Sequence, residues 1–166
     1  IVCVALASTG LLLVFLELRT GFDRSLLYFG AALLLLCAMT GIDIWVQPYH
    51  KSYGDRLPWL EAQHVIACLV VPVLYAYLLR LARLNATRIV KLVGWSALAL
   101  IPFFVVGDLM LRVHEDELQP GPLYLPVFIP AFLAFMGVAV SLMIRGIRAR
   151  EGHERRLLVL HFFGFV

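Results

Sequence analysis

The chain has 166 residues, of which 62% are hydrophobic and only 15% charged, against about 45–50% and about 25% in soluble globular domains. With a mean hydropathy of +0.91, a water-soluble globule of this size is excluded, because its core could not hide so much apolar surface. The net charge of +3 is modest, and no basic patch with interleaved aromatics occurs, which excludes nucleic acid as a partner.

In chain order, apolar runs predict spanning helices over about residues 1–18, 26–46, 59–79, 92–110 and 123–144, each near the ~20 residues a membrane crossing needs. A sixth run starts near Leu157. Its last ten residues would rise about 15 Å as a helix, roughly half a bilayer core. The chain also opens on Ile1 rather than Met. The expected fold is all-α: a polytopic transmembrane helical bundle, five complete helices plus a truncated sixth. A single transmembrane domain over 1–166, continuing past Val166, is expected.

The connections set the orientation. The odd ones carry Arg19 and Arg24, then Arg80, Arg83, Arg88 and Lys91, then Arg145, Arg148, Arg150, Arg155 and Arg156. The even side holds Lys51, Arg56 and Arg112, the remainder of the 14 Lys and Arg. Positive charge stays in the cytoplasm, so the odd connections are expected inside and the N-terminus outside. Asp43, Asp55, Glu61, Asp108, Glu115, Asp116 and Glu117 all fall on the outer side. Aromatic belts fit this layout, with Trp45, Tyr49, Tyr53, Trp59 and Tyr124 at the outer interface and Tyr75, Tyr77 and Trp95 at the inner one. The outer connections, Gln47 to Pro58 and Arg112 to Pro122, read as irregular loops rich in Pro and Gly. Pro72, Pro102, Pro126 and Pro130 fall within predicted helices, where membrane segments tolerate them and often kink.

Ionisable groups inside a spanning segment are costly and face the bundle interior or a wet cavity. Asp43 ends the second helix, Glu61 and His64 start the third, and Asp108 ends the fourth. All four therefore share one depth near the outer surface. They form the candidate ligand- or proton-sensing face, set against plain solvation of helix ends. Glu61 and His64 have ExxH spacing, which bundles use in di-metal sites only as two such motifs with further glutamates. One motif occurs here, so no metal is assigned, and no cofactor is implied. Cys3, Cys37 and Cys68 lie in apolar runs without pairing and read as small buried hydrophobes. His114-Glu115-Asp116-Glu117 reads as solvated loop, and His153-Glu154-Arg155-Arg156 as a basic anchor. Asn85-Ala86-Thr87 matches a glycosylation sequon but reads as a turn or helix cap on the inner side. Gly137 and Ser141, four apart, are expected to allow close helix contact inside the bundle. No phosphate-binding loop, nucleophile elbow or paired catalytic carboxylates appear, so no catalytic residue is assigned.

Gly121-Pro122-Leu123-Tyr124 opens the fifth helix, Arg145-Gly146-Ile147-Arg148 closes it, and Glu154-Arg155-Arg156-Leu157-Leu158 leads into the sixth. With the even helix spacing, outside N-terminus and short basic inner loops, this pattern resembles the seven-helix N-terminal sensor region of bacterial histidine kinases and diguanylate cyclases. The resemblance implies a sensor or anchor in the bacterial inner membrane, with a kinase or cyclase output domain on the cytoplasmic side after Val166. It carries over no ligand motif. The alternative is a structural or accessory subunit of a larger membrane complex, and a transporter fragment ranks last because the ionisable groups crowd one end. Expected partners are the lipid bilayer and either a second copy or neighbouring membrane subunits.

Overall fold

The computed structural model describes residues 2–21, 24–46, 52–106, 108–115 and 117–163. Its helices are α1 (Val2–Thr20), α2 (Arg24–Gly41), α3 (Tyr53–Leu81), α4 (Arg88–Ala99), α5 (Ile101–Val105), α6 (Ile129–Arg148) and α7 (Gly152–Phe163). Single π-helical turns extend α2 at Ile42–Val46 and lead into α6 at Tyr124–Phe128. Five stretches are long and apolar enough to cross a membrane: Cys3–Thr20, Arg24–Ile44, Tyr53–Leu81, Arg88–Val105 and Tyr124–Arg148. The chain is a helical bundle of the multi-pass membrane type, matching the five expected crossings.

The first two helices form an antiparallel pair whose register is set by glycine. Gly10 and Gly30 face each other so closely that a Cβ on Gly30 would lie 2.7 Å from the Gly10 carbonyl oxygen. Nearer the other end of this pair, the Cys37 thiol donates to the Cys3 carbonyl at 3.1 Å. In lipid, helices gain nothing from hiding apolar surface, so close backbone approach and interhelical hydrogen bonds must hold them. The outward faces of α1 and α6 carry large apolar residues such as Leu11, Phe15, Leu133 and Met136, as a lipid-facing surface should.

Helix α3 is the spine. Its 29 residues rise about 43 Å at 1.5 Å each, and it remains one helix through Pro58 and Pro72. Ser52 caps its start by accepting from the Gly54 amide. One packed layer around its C-terminal half joins Tyr75, Tyr77, Leu78, Val90, Ala139 and Leu142. A second, nearer its N-terminal end, joins Cys68, Ala97, Leu100, Phe104, Phe128 and Phe135. Across the boundary between them the Tyr75 hydroxyl donates to the Phe135 carbonyl at 2.7 Å, tying α3 to α6.

Several expectations need correction. Tyr75 and Tyr77 do not sit in an interfacial belt: both are buried, and Tyr77 stacks on Phe29 with centroids 5.0 Å apart. Their rings fill the seam between α3 and its neighbours, and burial wins because Tyr75 finds a hydrogen-bond partner there. Trp95 is exposed, as a belt residue would be. Gly137 and Ser141 face outward, with nothing near Gly137. The inward stripe of α6 is Phe135, Ala139, Leu142 and Gly146, and a residue two positions after Phe135 lies on the opposite side of a 3.6-residue helix. The fourth segment ends at Val105, not Met110, and breaks at Leu100 ahead of Pro102. Pro130 stands in the first turn of α6, directly after the π-helical turn Tyr124–Phe128.

The loop expected over 112–122 contains an antiparallel hairpin, β1 (Leu111–His114) with β2 (Glu117–Pro120). Gly121 closes its base by donating to the Met110 carbonyl at 2.8 Å, and a side chain there would strike the Leu109 carbonyl. The loop expected up to Pro58 is already helical from Tyr53, while Gln47–Lys51 and Asp116 lie outside the described residues. Thr87 caps α4 by accepting from the Val90 amide at 3.4 Å, so the Asn85-Ala86-Thr87 triplet serves as a helix cap.

Two variants test what holds the bundle. Gly30→Ala should cost about 1–3 kcal/mol, the usual range for overpacking. Tyr75→Phe should cost only about 0.6 kcal/mol, the mean for interhelical hydrogen bonds in membranes. Unfolding in detergent reads both, and a Gly30→Ala protein as stable as the parent would contradict the close crossing.

Candidate functional site

The end of the bundle where α3 begins is where the helices stop being regular. Helix α2 finishes in a π-helical turn, the fourth crossing breaks into α5, and α6 begins with the second π-helical turn. Such irregularities in a lipid-embedded protein need protein or cavity around them, and π-helical turns concentrate at functional sites. Here they surround the start of α3.

Asp43 lies in the first π-helical turn and is exposed, and its Oδ1 accepts from the Gln63 amide at 2.6 Å. The same Gln63 nitrogen donates to the Met39 carbonyl at 3.1 Å. Buried Gln63 thus clamps the end of α2 onto α3. One helical step on, the half-buried His64 has Nδ1 2.7 Å from the Leu60 carbonyl. A carbonyl can only accept, so Nδ1 carries the proton, and in the neutral ring Nε2 is the free acceptor. Three rings enclose the imidazole. Phe104 stacks on it at 4.8 Å and 25°, while Phe128 at 5.4 Å and Tyr124 at 6.1 Å present edges. Phe104 and Phe128 also meet edge-to-face at 5.3 Å. Each aromatic pair contributes about 0.5–1.5 kcal/mol beyond its buried area, so His64 is firmly positioned.

Asp43, Gln63 and His64 line an open cleft of about 400 Å³ with Tyr124, Phe128 and Phe132. One wall offers a carboxylate and an amide, and the other is aromatic. The cleft continues inward into an apolar cavity of about 200 Å³, the two sharing Met39, Ala67, Phe128 and Phe132. The combined space is thus polar at one end and apolar at the other.

The four residues expected to form one sensing face divide in two. Asp43 and His64 share the cleft. Glu61 and Asp108 do not line it, but lie near enough to each other for their charges to repel. Asp108 does not end a helix: it sits beyond α5, exposed, with a left-handed φ of 51°. The reason is the break at Pro102, which stops the fourth crossing early and lets the chain turn toward the hairpin. Among the described residues no three His, Cys, Asp or Glu side chains converge as a metal site would require. The residues that sequence reasoning missed are Gln63, Phe104 and Phe128. Gln63 carries a legible signal, a polar amide within an apolar run, whereas the phenylalanines resemble every other apolar position.

Comparison with known proteins gives no further assignment: no family model, no curated protein and no solved structure matches the chain.

The Asp43–Gln63 clamp is measurable. In a double-mutant cycle with Asp43→Ala and Gln63→Ala, the coupling should be about 1.5 kcal/mol, the low end for hydrogen bonds to a charged group. A coupling near zero would mean that the two side chains act independently.

Proposed function

We propose that this chain is the membrane-embedded sensor region of a bacterial signal-transduction protein, histidine-kinase-like, sited in the inner membrane. The observation that supports the reading best is the cleft itself. It joins Asp43, Gln63 and His64 to an aromatic wall, and the π-helical turns that end α2 and lead into α6 both contribute to its lining. The charge distribution supports an outside position for this end.

The cleft spans the end of α2 and the start of α6, both resting on α3. A ligand seated between Asp43 and the ring wall changes the spacing of these two helices. Helix α6 carries that change to Arg145 and Arg148 at its other end. The α6–α7 connection is tied there by Arg150, which pairs with Glu154 at 3.0 Å and makes a long contact with the Ala82 carbonyl at 3.5 Å. Downstream helices pass the displacement to a cytoplasmic kinase or cyclase domain. Differential binding to two arrangements of this kind is all a sensor requires.

The test uses the full-length protein in membrane vesicles. His64→Ala and Asp43→Asn should each change the phosphorylation or cyclase output at least several-fold with membrane insertion retained. Leu133→Ala, on the lipid face, should leave the output unchanged. Unaltered output in both cleft variants would remove the sensing assignment. A reading frame ending within two helices of Val166 would turn the assignment to an accessory subunit.

A further inference from the structure

The other end of the bundle holds a second composite site, independent of the sensing reading. Helix α3 ends at Leu81, and the chain closes on it with the Leu84 amide donating to the Leu79 carbonyl at 2.8 Å. Arg83 occupies the left-handed position of that turn, φ 51°, where glycine is favoured. Beside the turn lies a polar recess of about 580 Å³ lined by Arg80, Arg83, Asn85 and Tyr28. Among the described residues, no acidic side chain lines it. Among the described residues, neither arginine forms an ion pair.

The recess opens into an apolar groove of about 240 Å³ between α3 and α4, the two sharing Ala76, Leu79 and Ala86. Pro72, Val90, Gly94 and Leu98 line the groove, with Lys91 and the largely exposed Trp95 on its walls. The absence of a side chain at Gly94 helps keep it open: the nearest atom to a Cβ there would be Tyr75 Cδ2 at 3.6 Å. Two guanidinium groups, an amide and a phenol at one end, with a hydrocarbon-lined slot running toward mid-membrane from them, match one ligand chemistry. That chemistry is a phosphodiester carrying an acyl chain. Basic recesses between transmembrane helices recognise anionic lipid headgroups in this way, and guanidinium forks suit phosphate oxygens.

We propose that Arg80, Arg83, Asn85 and Tyr28 bind the phosphate of an anionic phospholipid whose acyl chain lies in the Pro72–Leu98 groove beside Trp95.

Trp95 supplies the readout. In the full-length protein with Trp45→Phe and Trp59→Phe, and any tryptophan outside this chain also replaced, Trp95 emission is followed in phosphatidylcholine bilayers. These are doped with brominated-chain phosphatidylglycerol or, at the same fraction, brominated-chain phosphatidylcholine. Phosphatidylglycerol should quench preferentially. The preference should fall about fivefold for each arginine removed in Arg80→Gln and Arg83→Gln, from the typical attraction of one basic residue to an anionic lipid surface. Arg145→Gln with Arg148→Gln, basic but outside the recess, should keep all of it. Equal quenching by the two lipids, or an equal loss in the Arg145/Arg148 pair, would reduce the effect to general surface charge and overturn the site. Displacement by excess inorganic phosphate would contradict the lipid assignment.

Discussion

A hydrocarbon slab supplies no hydrogen bonds, so every backbone N–H and C=O within it must be paired inside the protein. That constraint governs the layout of this chain. Helix α3 stays regular through two prolines and runs the length of the bundle. Departures from α-helical geometry among the described crossings are gathered at one end, where side chains and a cleft surround them. There the chain can bend, expose a carboxylate and close a hairpin without stranding backbone groups in lipid. The polar cleft follows from this placement, since the same loosening that permits irregular backbone admits Asp43 and Gln63 among apolar helices.

The two ends of the bundle differ in chemistry because α3 holds different layers. At the cleft end, rings from α5 and the turn before α6 close on His64, and one amide holds α2. At the other end, two tyrosines fill the core and basic residues ring the surface. Tyr75 joins these halves through its bond to the Phe135 carbonyl, which lies at the packing boundary between them.

Much of the fold was legible in the sequence. Hydropathy placed five crossings, since apolar length is the one requirement a bilayer makes of a helix. The Thr87 cap was legible because a hydroxyl at a helix start has few other uses. Other features were not. The charge rule places loops but says nothing of side-chain rotation, so Tyr75 and Tyr77 read as belt residues and Gly137 as a contact. The hairpin at Leu111–Pro120 hid behind turn-forming residues that a loop also uses. The depth of Asp43, Glu61, His64 and Asp108 was readable, but their grouping was not. Pro102 ends the fourth crossing early and carries Asp108 away, and which face of α3 meets which neighbour depends on packing that no local spacing encodes.

The whole account rests on the cleft end lying outside and the basic end inside. The direct measurement is labelling of single cysteines in intact cells by a membrane-impermeant maleimide, with Cys3, Cys37 and Cys68 replaced by serine or alanine. A cysteine at Gln119, on the hairpin, should label in intact cells. One at Asn85, beside the arginine recess, should label only after the cells are opened. The reverse pattern would place the cleft in the cytoplasm and contradict the account.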